Sequence, residues 1–386
     1  MRKSIIILLC LLAQILQAKE NFQILYGPYL QNMSENEVTI LWKTNRRAIS
    51  WVEIAPQSSQ HFYAEEHPRI YQASFGKKVI SKLHKVKITG LSKGTTYKYR
   101  ICSQEVINQE ERYVQYGKTA SSIVLHKEPL TFTTLDNEKV SVKFWMVNDI
   151  HAQNEILHKL VGDIKDKADF VVFNGDMLSD IRSEKHIFNG FMNEAIKSFA
   201  SEIPFFYCRG NHENRGQFST EFINYFPTNT GMPYYTFRQG PAFFIVLDSG
   251  EDKPDNDIAY YGLSDFESYL KQEVAWLKNI VLSRDFKEAP YKIVFVHIPP
   301  VGMSWYGSLV VKKQFVPILN DAGINLMLCA HLHRYLYNEK GQNGCNFPII
   351  VNSNIDVTKV NVDNSGIALE IQDTLGVKIK QFHFKK

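Results

Sequence analysis

Five runs of strand-forming apolar residues in this chain each stop at side chains that bind metals or move protons. The runs are Phe144–Val147, Phe170–Phe173, Ile203–Cys208, Ile293–Val296 and Leu326–Cys329. After them come Asp149-Ile150-His151, Gly175-Asp176, Gly210-Asn211-His212-Glu213, His297 and His331-Leu332-His333. In open α/β sheets the strand ends define one edge, and that edge is where such folds place their sites. Taken singly, each residue has an ordinary reading: Asp176 as a helix N-cap, Asn211 as a turn residue, His297 as a structural imidazole. Five in succession, each behind a strand, argue for one convergent cluster. A donor set of imidazole, carboxylate and amide oxygen suits Mn, Fe or Zn, where an all-oxygen site would favour Mg or Ca.

The order D-x-H, G-D, G-N-H-[D/E], a lone His and H-x-H resembles the calcineurin-like metallophosphoesterase superfamily over roughly residues 140–386. The resemblance implies a binuclear site. Asp149, His151, Asp176 and His333 would hold the first metal. Asp176 would bridge to the second, which Asn211, His297 and His331 complete. Two such ions about 3.5–4 Å apart clamp a phosphoryl group and lower the pKa of a bound water. The implied reaction is phosphate-ester hydrolysis by in-line attack of a metal-bound hydroxide, with no covalent enzyme intermediate. His212 would stand near the leaving group, either donating its proton or hydrogen-bonding a phosphate oxygen. Glu213 would hold the His212 tautomer, as carboxylates commonly orient imidazoles.

The pattern departs from the family at three places. Asn148 and Ala330 stand where glycines usually precede Asp149 and His331. Asn tolerates a left-handed backbone, whereas Ala330 is harmless only if its φ is negative. Purple acid phosphatases, similar in having a β-sandwich before the catalytic domain, lack the first-motif His and use a Tyr three residues after the second aspartate. Here His151 is present and Ser179 occupies that place, so no tyrosinate–iron colour is expected.

The chain has 386 residues, enough for two domains. Residues 1–18 read as a secretory signal: Arg2 and Lys3, then an apolar core from Ser4 to Leu12, then Leu16-Gln17-Ala18 as a cleavage site. Export to the periplasm or the medium is therefore expected. The formal net charge is +4, and cleavage would remove two positive charges and no negative ones. Without a long basic run, nucleic-acid binding is not expected. No later segment is long and apolar enough to predict stable membrane insertion. Cys102, Cys208, Cys329 and Cys345 remain after cleavage and allow three pairings; buried thiols are the first reading for Cys208 and Cys329, ahead of a bridge.

Residues 21–136 alternate apolar and polar positions in short segments. Val38, Ile40 and Trp42 face one way, and His84, Val86 and Ile88 oppose Leu83, Lys85 and Lys87. Turn residues divide the segments, predicting an all-β sandwich. Leu91–Tyr97 resembles a fibronectin type III strand start with Tyr97 as the tyrosine corner, and Gly27–Gln31 resembles the start of the purple acid phosphatase N-terminal domain. Residues 140–386 then alternate strands with helical periods. Helices are expected over Ile156–Lys167 and Leu263–Leu282, the latter capped by Asp265, and a closing hairpin over Gly366–Lys380. The fold class expected is an N-terminal β-sandwich followed by an α/β metallophosphoesterase domain, two sheets flanked by helices.

Four further residues are candidates for substrate contact. Arg209 and Arg215 flank the third motif and have the geometry to fork onto a phosphate, with a salt bridge as the competing role. Trp305 and Tyr306 follow His297 in a loop and would wall a pocket for a nucleoside, sugar or aryl group. The expected partner is a small phosphorylated molecule. Monoesters are favoured over diesters by the front domain alone, an argument from fold analogy; a non-catalytic binding protein using the β-sandwich is the alternative of another class.

Overall fold

The computed structural model describes residues 21–122 and 128–385; the leader expected over residues 1–18 lies outside them. The N-terminal part is built around the strand Glu37–Pro56, whose two halves have different partners. Its first half pairs with Ile24–Gln31 and Ser81–Thr89, its second with Arg69–Tyr71 and Thr96–Glu110. The alternation predicted for this region holds: His84, Val86 and Ile88 are buried between more exposed neighbours. The Tyr97 hydroxyl accepts a hydrogen bond from the Ser92 N–H at 2.9 Å.

The opposite face of the first sheet half is also covered, which simple alternation does not predict. Leu41 and Tyr29 are fully buried and pack with Trp145, Phe188 and Tyr225 of the second part. Tyr29 donates to the Tyr225 carbonyl at 3.0 Å, Tyr99 to the Ser201 carbonyl at 2.6 Å, and Lys43 pairs with Glu184. The two parts therefore share a core as well as a boundary.

From Val142 onward two six-stranded sheets pack face to face. The first runs Phe205–Cys208, Phe170–Asn174, Val142–Val147, Asp356–Asp363, Gly366–Asp373, Lys378–Phe384. The second runs Tyr235–Gln239, Ala242–Val246, Tyr291–Phe295, Leu326–Cys329, Ile349–Val351, Leu336–Asn338. Phe144, Phe170 and Phe206 from one sheet meet Phe237, Phe244 and Phe295 from the other; Phe206 stacks on Phe237 at 3.6 Å. Aromatic pairs of this kind add roughly 0.5–1.5 kcal/mol each beyond the area they bury.

Register decides where the chemistry falls. Val147 aligns with Phe173, Asn174 with Cys208, Phe295 with Leu328, and Cys329 with Val351, all in parallel. Every predicted motif thus leaves its sheet at the same edge, and the edges of the two sheets are tied by the Asn174 amide donating to the Leu328 carbonyl at 3.2 Å.

The helices differ in detail from expectation. The first is shorter, Asn154–Val161, and the second is Phe266–Ile280. Asp265 occupies the N-cap position of the second without bonding through its side chain; Asp255, from the preceding loop, accepts from the Phe266 and Glu267 N–H groups at 2.9 Å each. The closing hairpin is present as Gly366–Asp373 and Lys378–Phe384. No described helix is long and apolar enough to cross a membrane. Cys102, Cys208, Cys329 and Cys345 are all buried and unbridged.

Candidate metal centre

The seven predicted ligands converge. Asp149, His151 and His333 place their ligand atoms within 4.8 Å of one another, as do Asp176, His297 and His331. Asp176 links the two sets: it belongs to the second, and its carboxylate also lies within 4.8 Å of the ligand atoms of His151, from the first set, and of His212. Its Oδ2 is 3.1 Å from His297 Nε2 and 3.8 Å from His212 Nε2. In the first set, His333 Nε2 is 3.3 Å from both Asp149 Oδ1 and His151 Nε2. Asn211 is fully buried, and neither its side-chain oxygen nor its nitrogen has a hydrogen-bond partner; Asp149 Oδ1 and His297 Nε2 have ion-pair contacts with the other ligands but no hydrogen bond. Unpaired buried polar atoms are uncommon because each costs about 1–3 kcal/mol. Here Asn211 Oδ1, Asp149 Oδ1 and His297 Nε2 are all candidate ligand atoms, which is what a cation site requires, so the residues fit a metal pair.

The electrostatics say the same. Burial disfavours a charged His297, yet the Asp176 and Asp149 carboxylates outweigh that and push it up to about 10. Burial works against ionisation of Asp176 too, but His297 and His212 hold its carboxyl below the ordinary range. Partial burial and the neighbouring His297 push the half-buried His331 down to about 4. The site is a pocket of buried negative charge that needs a cation, whether a proton on His297 or a metal.

Backbone geometry shapes the cluster. Asp149, His151, Asp176, His331 and His333 all have left-handed φ, between 46° and 70°. Gly175, at φ 82°, cannot be replaced without collision: a Cβ there would lie 2.3 Å from His297 Nδ1. Ala330 has no such φ, so the glycine it replaces is not needed. His297 is oriented by its Nδ1 against the Asn174 carbonyl at 2.7 Å, and His151 by its Nδ1 against Ser179 Oγ at 3.2 Å. Each leaves Nε2 facing the site.

Several assignments change. Glu213 does not touch His212. Its carboxylate is buried and accepts from the N–H groups of Asp176 (2.8 Å), Gly210 (3.0 Å) and Leu178 (3.3 Å) and from the Tyr207 hydroxyl (2.9 Å). The His212 ring is held by its Nδ1 against the Ser179 carbonyl at 2.8 Å. Arg209 is not a phosphate fork: its Nε donates to Asp248 Oδ2 at 2.8 Å, and the guanidinium packs over Phe222 and Tyr269. Arg215 is divided, with Nη2 on Glu251 and Asp252 and Nη1 3.2 Å from His212 Nε2. Tyr306 turns away to Glu267, at 3.4 Å.

Trp305 does line the cavity over the cluster, of about 460 Å³, and is 60% exposed. Asp252, Met303 and Arg334 line it as well and were not foreseen. Arg334 directly follows the H-x-H motif, a signal that was available; Asp252 carries none.

Comparison with known proteins agrees with this geometry. Residues 142–335 match the calcineurin-like phosphoesterase family, and residues 28–116 match the purple acid phosphatase N-terminal domain. The chain is 27% identical over 196 residues to a probable glycerophosphodiester phosphodiesterase GpdQ of Arcobacter nitrofigilis, covering 48% of this chain and 64% of that one. It is 26% identical over 150 residues to the serine/threonine-protein phosphatase CPPED1 of Mus musculus, covering 37% of this chain and 46% of that one. The chain thus spans less than two thirds of either relative. A solved structure of PhoD shares the fold, with a TM-score of 0.57 at 12% identity over 92% of this chain and 91% of that one. With its two-sheet core, its strand-end ligand cluster and half its length matched, this chain belongs to the calcineurin-like phosphoesterase family.

Proposed function

We propose that this protein is an exported, binuclear-metal-dependent phosphoesterase acting on small phosphate monoesters. The observation that carries the reading is Asp176 grouped both with His151 and His212 and with His297 and His331, with the unpartnered Asn211 beside it. Asp149, His151, Asp176 and His333 would hold one cation and Asp176, Asn211, His297 and His331 the other. Bound there, Mn, Fe or Zn would supply the charge that polarises a phosphoryl group and acidifies water.

The chain's own residues do the rest. His212 Nδ1 faces the Ser179 carbonyl, so Nδ1 carries the proton in the neutral ring and Nε2 is left on the site side. Nε2 is then the ring atom that would meet a leaving-group or phosphate oxygen, in exchange for its contact with Arg215 Nη1, because a guanidinium only donates. Arg215, anchored on Glu251 and Asp252, keeps that ring from swinging out. Trp305 and Arg334 border the cavity and set what organic group fits above the cluster.

The test is the initial rate on matched aryl phosphomonoester and phosphodiester reporters, after reconstitution with Mn, Zn or Fe. A strong monoester preference supports the proposal. Diesters are the second reading, favoured by the name of the Arcobacter relative; a diester preference would replace the first with it. No turnover of either, and no metal bound, would revive a binding-protein role. The N-terminal sequence of the mature protein tests export.

A further inference from the structure

The usual family glycine before Asp149 is replaced here by an asparagine that is not idle. Asn148 is buried, and its Nδ2 donates to Asp149 Oδ2 at 2.8 Å. The same oxygen accepts the His331 N–H at 3.0 Å. Oδ2 is thereby occupied twice, while Oδ1, on the side of His333 and His297, has no hydrogen bond.

The amide is itself held. Asn148 Oδ1 accepts from Asn352 Nδ2 at 2.8 Å, and Asn352 Oδ1 accepts from the Thr358 hydroxyl at 2.9 Å. Asn352 Nδ2 also lies 2.8 Å from the Asp356 carbonyl and 3.0 Å from that of Ser353, so oxygens on that side settle which end of its amide is nitrogen. Asn352 and Thr358 are fully buried. Thr358 sits on the strand paired with Val142–Val147, opposite Met146. A directional chain therefore runs Thr358 to Asn352 to Asn148 to Asp149, with every link inside the protein. Fully satisfied buried networks of this kind lock orientation, because any misplacement leaves a polar group unpaired.

We infer that Asn148 is a positioning residue that makes Asp149 a one-oxygen metal ligand and so tunes the first cation site, with Asn352 and Thr358 as its support. This rests on the metal-centre reading above. Two donors on Oδ2 withdraw charge from that oxygen and stop the carboxylate rotating to offer both. A glycine at 148 would leave Oδ2 held by the His331 N–H alone and so loosen it to turn towards the cation, changing both affinity and geometry. Groups that orient ligands in this way typically alter metal affinity 10- to 100-fold when removed.

The experiment is titration of the metal-free full chain with Mn2+ alone, read by calorimetry for affinity and stoichiometry and by electron paramagnetic resonance for coordination. Asn148→Gly and Asn352→Ala should each weaken one of two Mn2+ sites by about tenfold or more, alter its resonance spectrum, and leave the other site within about twofold. The double variant should be no worse than the poorer single, since both cut one chain. Thr358→Val, which keeps shape and lies two side chains from the ligand, should shift the same site in the same direction by less; it carries the test if Asn148→Gly does not fold. Wild-type affinities and spectra in Asn148→Gly, or in Thr358→Val where the glycine variant is unfolded, would overturn the inference. Wild-type protein that binds no Mn2+ would instead overturn the metal-centre reading.

Discussion

Replacing Glu213 by Gln tests which of two jobs that side chain has. Its Oε2 accepts the N–H groups of Asp176 and Gly210, and its Oε1 accepts Leu178 N–H and the Tyr207 hydroxyl. A glutamine amide must point its NH2 at one of these pairs. Pointing it at Oε1 is the smaller loss, because the Tyr207 hydroxyl can rotate to accept and only the 3.3 Å bond from Leu178 is forfeited. That leaves one buried N–H unpaired, about 1–3 kcal/mol, and turns two charge-assisted bonds into neutral ones. Burial, and then Asp176, push the Glu213 carboxyl above its ordinary range, so removing the charge gives part of this back. The net expectation is a loss of about 2–3 kcal/mol, read as a lower urea midpoint at unchanged m in metal-free protein at pH 7. The dependence of rate on leaving-group pKa should not change, since His212 is held by Ser179. A variant within about 0.5 kcal/mol of wild type, or one with a steeper leaving-group dependence, would refute this account.

Asp176→Asn should abolish binding of the metal pair and turnover, measured by metal content and rate; normal activity would sink the proposed site. His212→Ala should keep the metal content and cut the rate, most for poor leaving groups; equal loss for activated and unactivated esters would remove its acid role. Burial pushes the His84 imidazole, which sits 2.8 Å from Thr44 Oγ1, down to about 3. The unfolded chain therefore binds a proton that the folded one refuses, and stability should fall as pH drops from about 6.5 towards 3, by up to about 1.4 kcal/mol per pH unit; between pH 7 and 5 the urea midpoint of wild type should fall relative to that of His84→Gln, and a constant difference would refute the shift. Ala152 has φ 63° without serving as a ligand, so Ala152→Gly should raise stability by about 0.5–1 kcal/mol with metal affinity unchanged. A destabilised variant would contradict that φ.

The ligand edge was legible because a parallel strand is a ruler: its end is fixed by its apolar run, and register carries neighbouring ends to one line. What was misread depended on partners distant in sequence. Arg209 reads equally as a phosphate fork or a salt bridge because its partner Asp248 lies 39 residues on, and Asp265 looks like the helix cap because the side chain that caps it, Asp255, lies in a loop without a period. Glu213 was misassigned by adjacency. It and His212 are consecutive in a 3-10 turn, His212–Asn214, where neighbouring side chains point apart, so the glutamate enters the core while the histidine faces the cavity. Leu41 and Tyr29 were invisible for another reason: alternation marks one buried face, and nothing in a strand's own sequence announces a second domain on the other.

The left-handed residues join the fold to the chemistry. Five of the seven proposed ligands have left-handed φ, at roughly 1–2 kcal/mol each for a non-glycine residue. The sum is comparable to the whole stability of a typical domain, so neighbouring structure must hold it. It does so by lacing the loops to one another: Asp149 N–H to the Gly175 carbonyl (2.9 Å), His151 N–H to Asp176 (3.1 Å), Ala152 N–H to Met177 (2.9 Å) and Ala330 N–H to His297 (2.9 Å). Each bond joins two different motifs, so no loop can relax alone. Strain of this kind persists where the surroundings over-determine the backbone, and it gathers at functional sites. Relaxing Asp149 or His333 to an ordinary φ would turn their side chains off the point they share, 3.3 Å apart. The same bonds that hold the strain therefore also hold the geometry, and a cation shared by both loops would tighten them further without any change of fold.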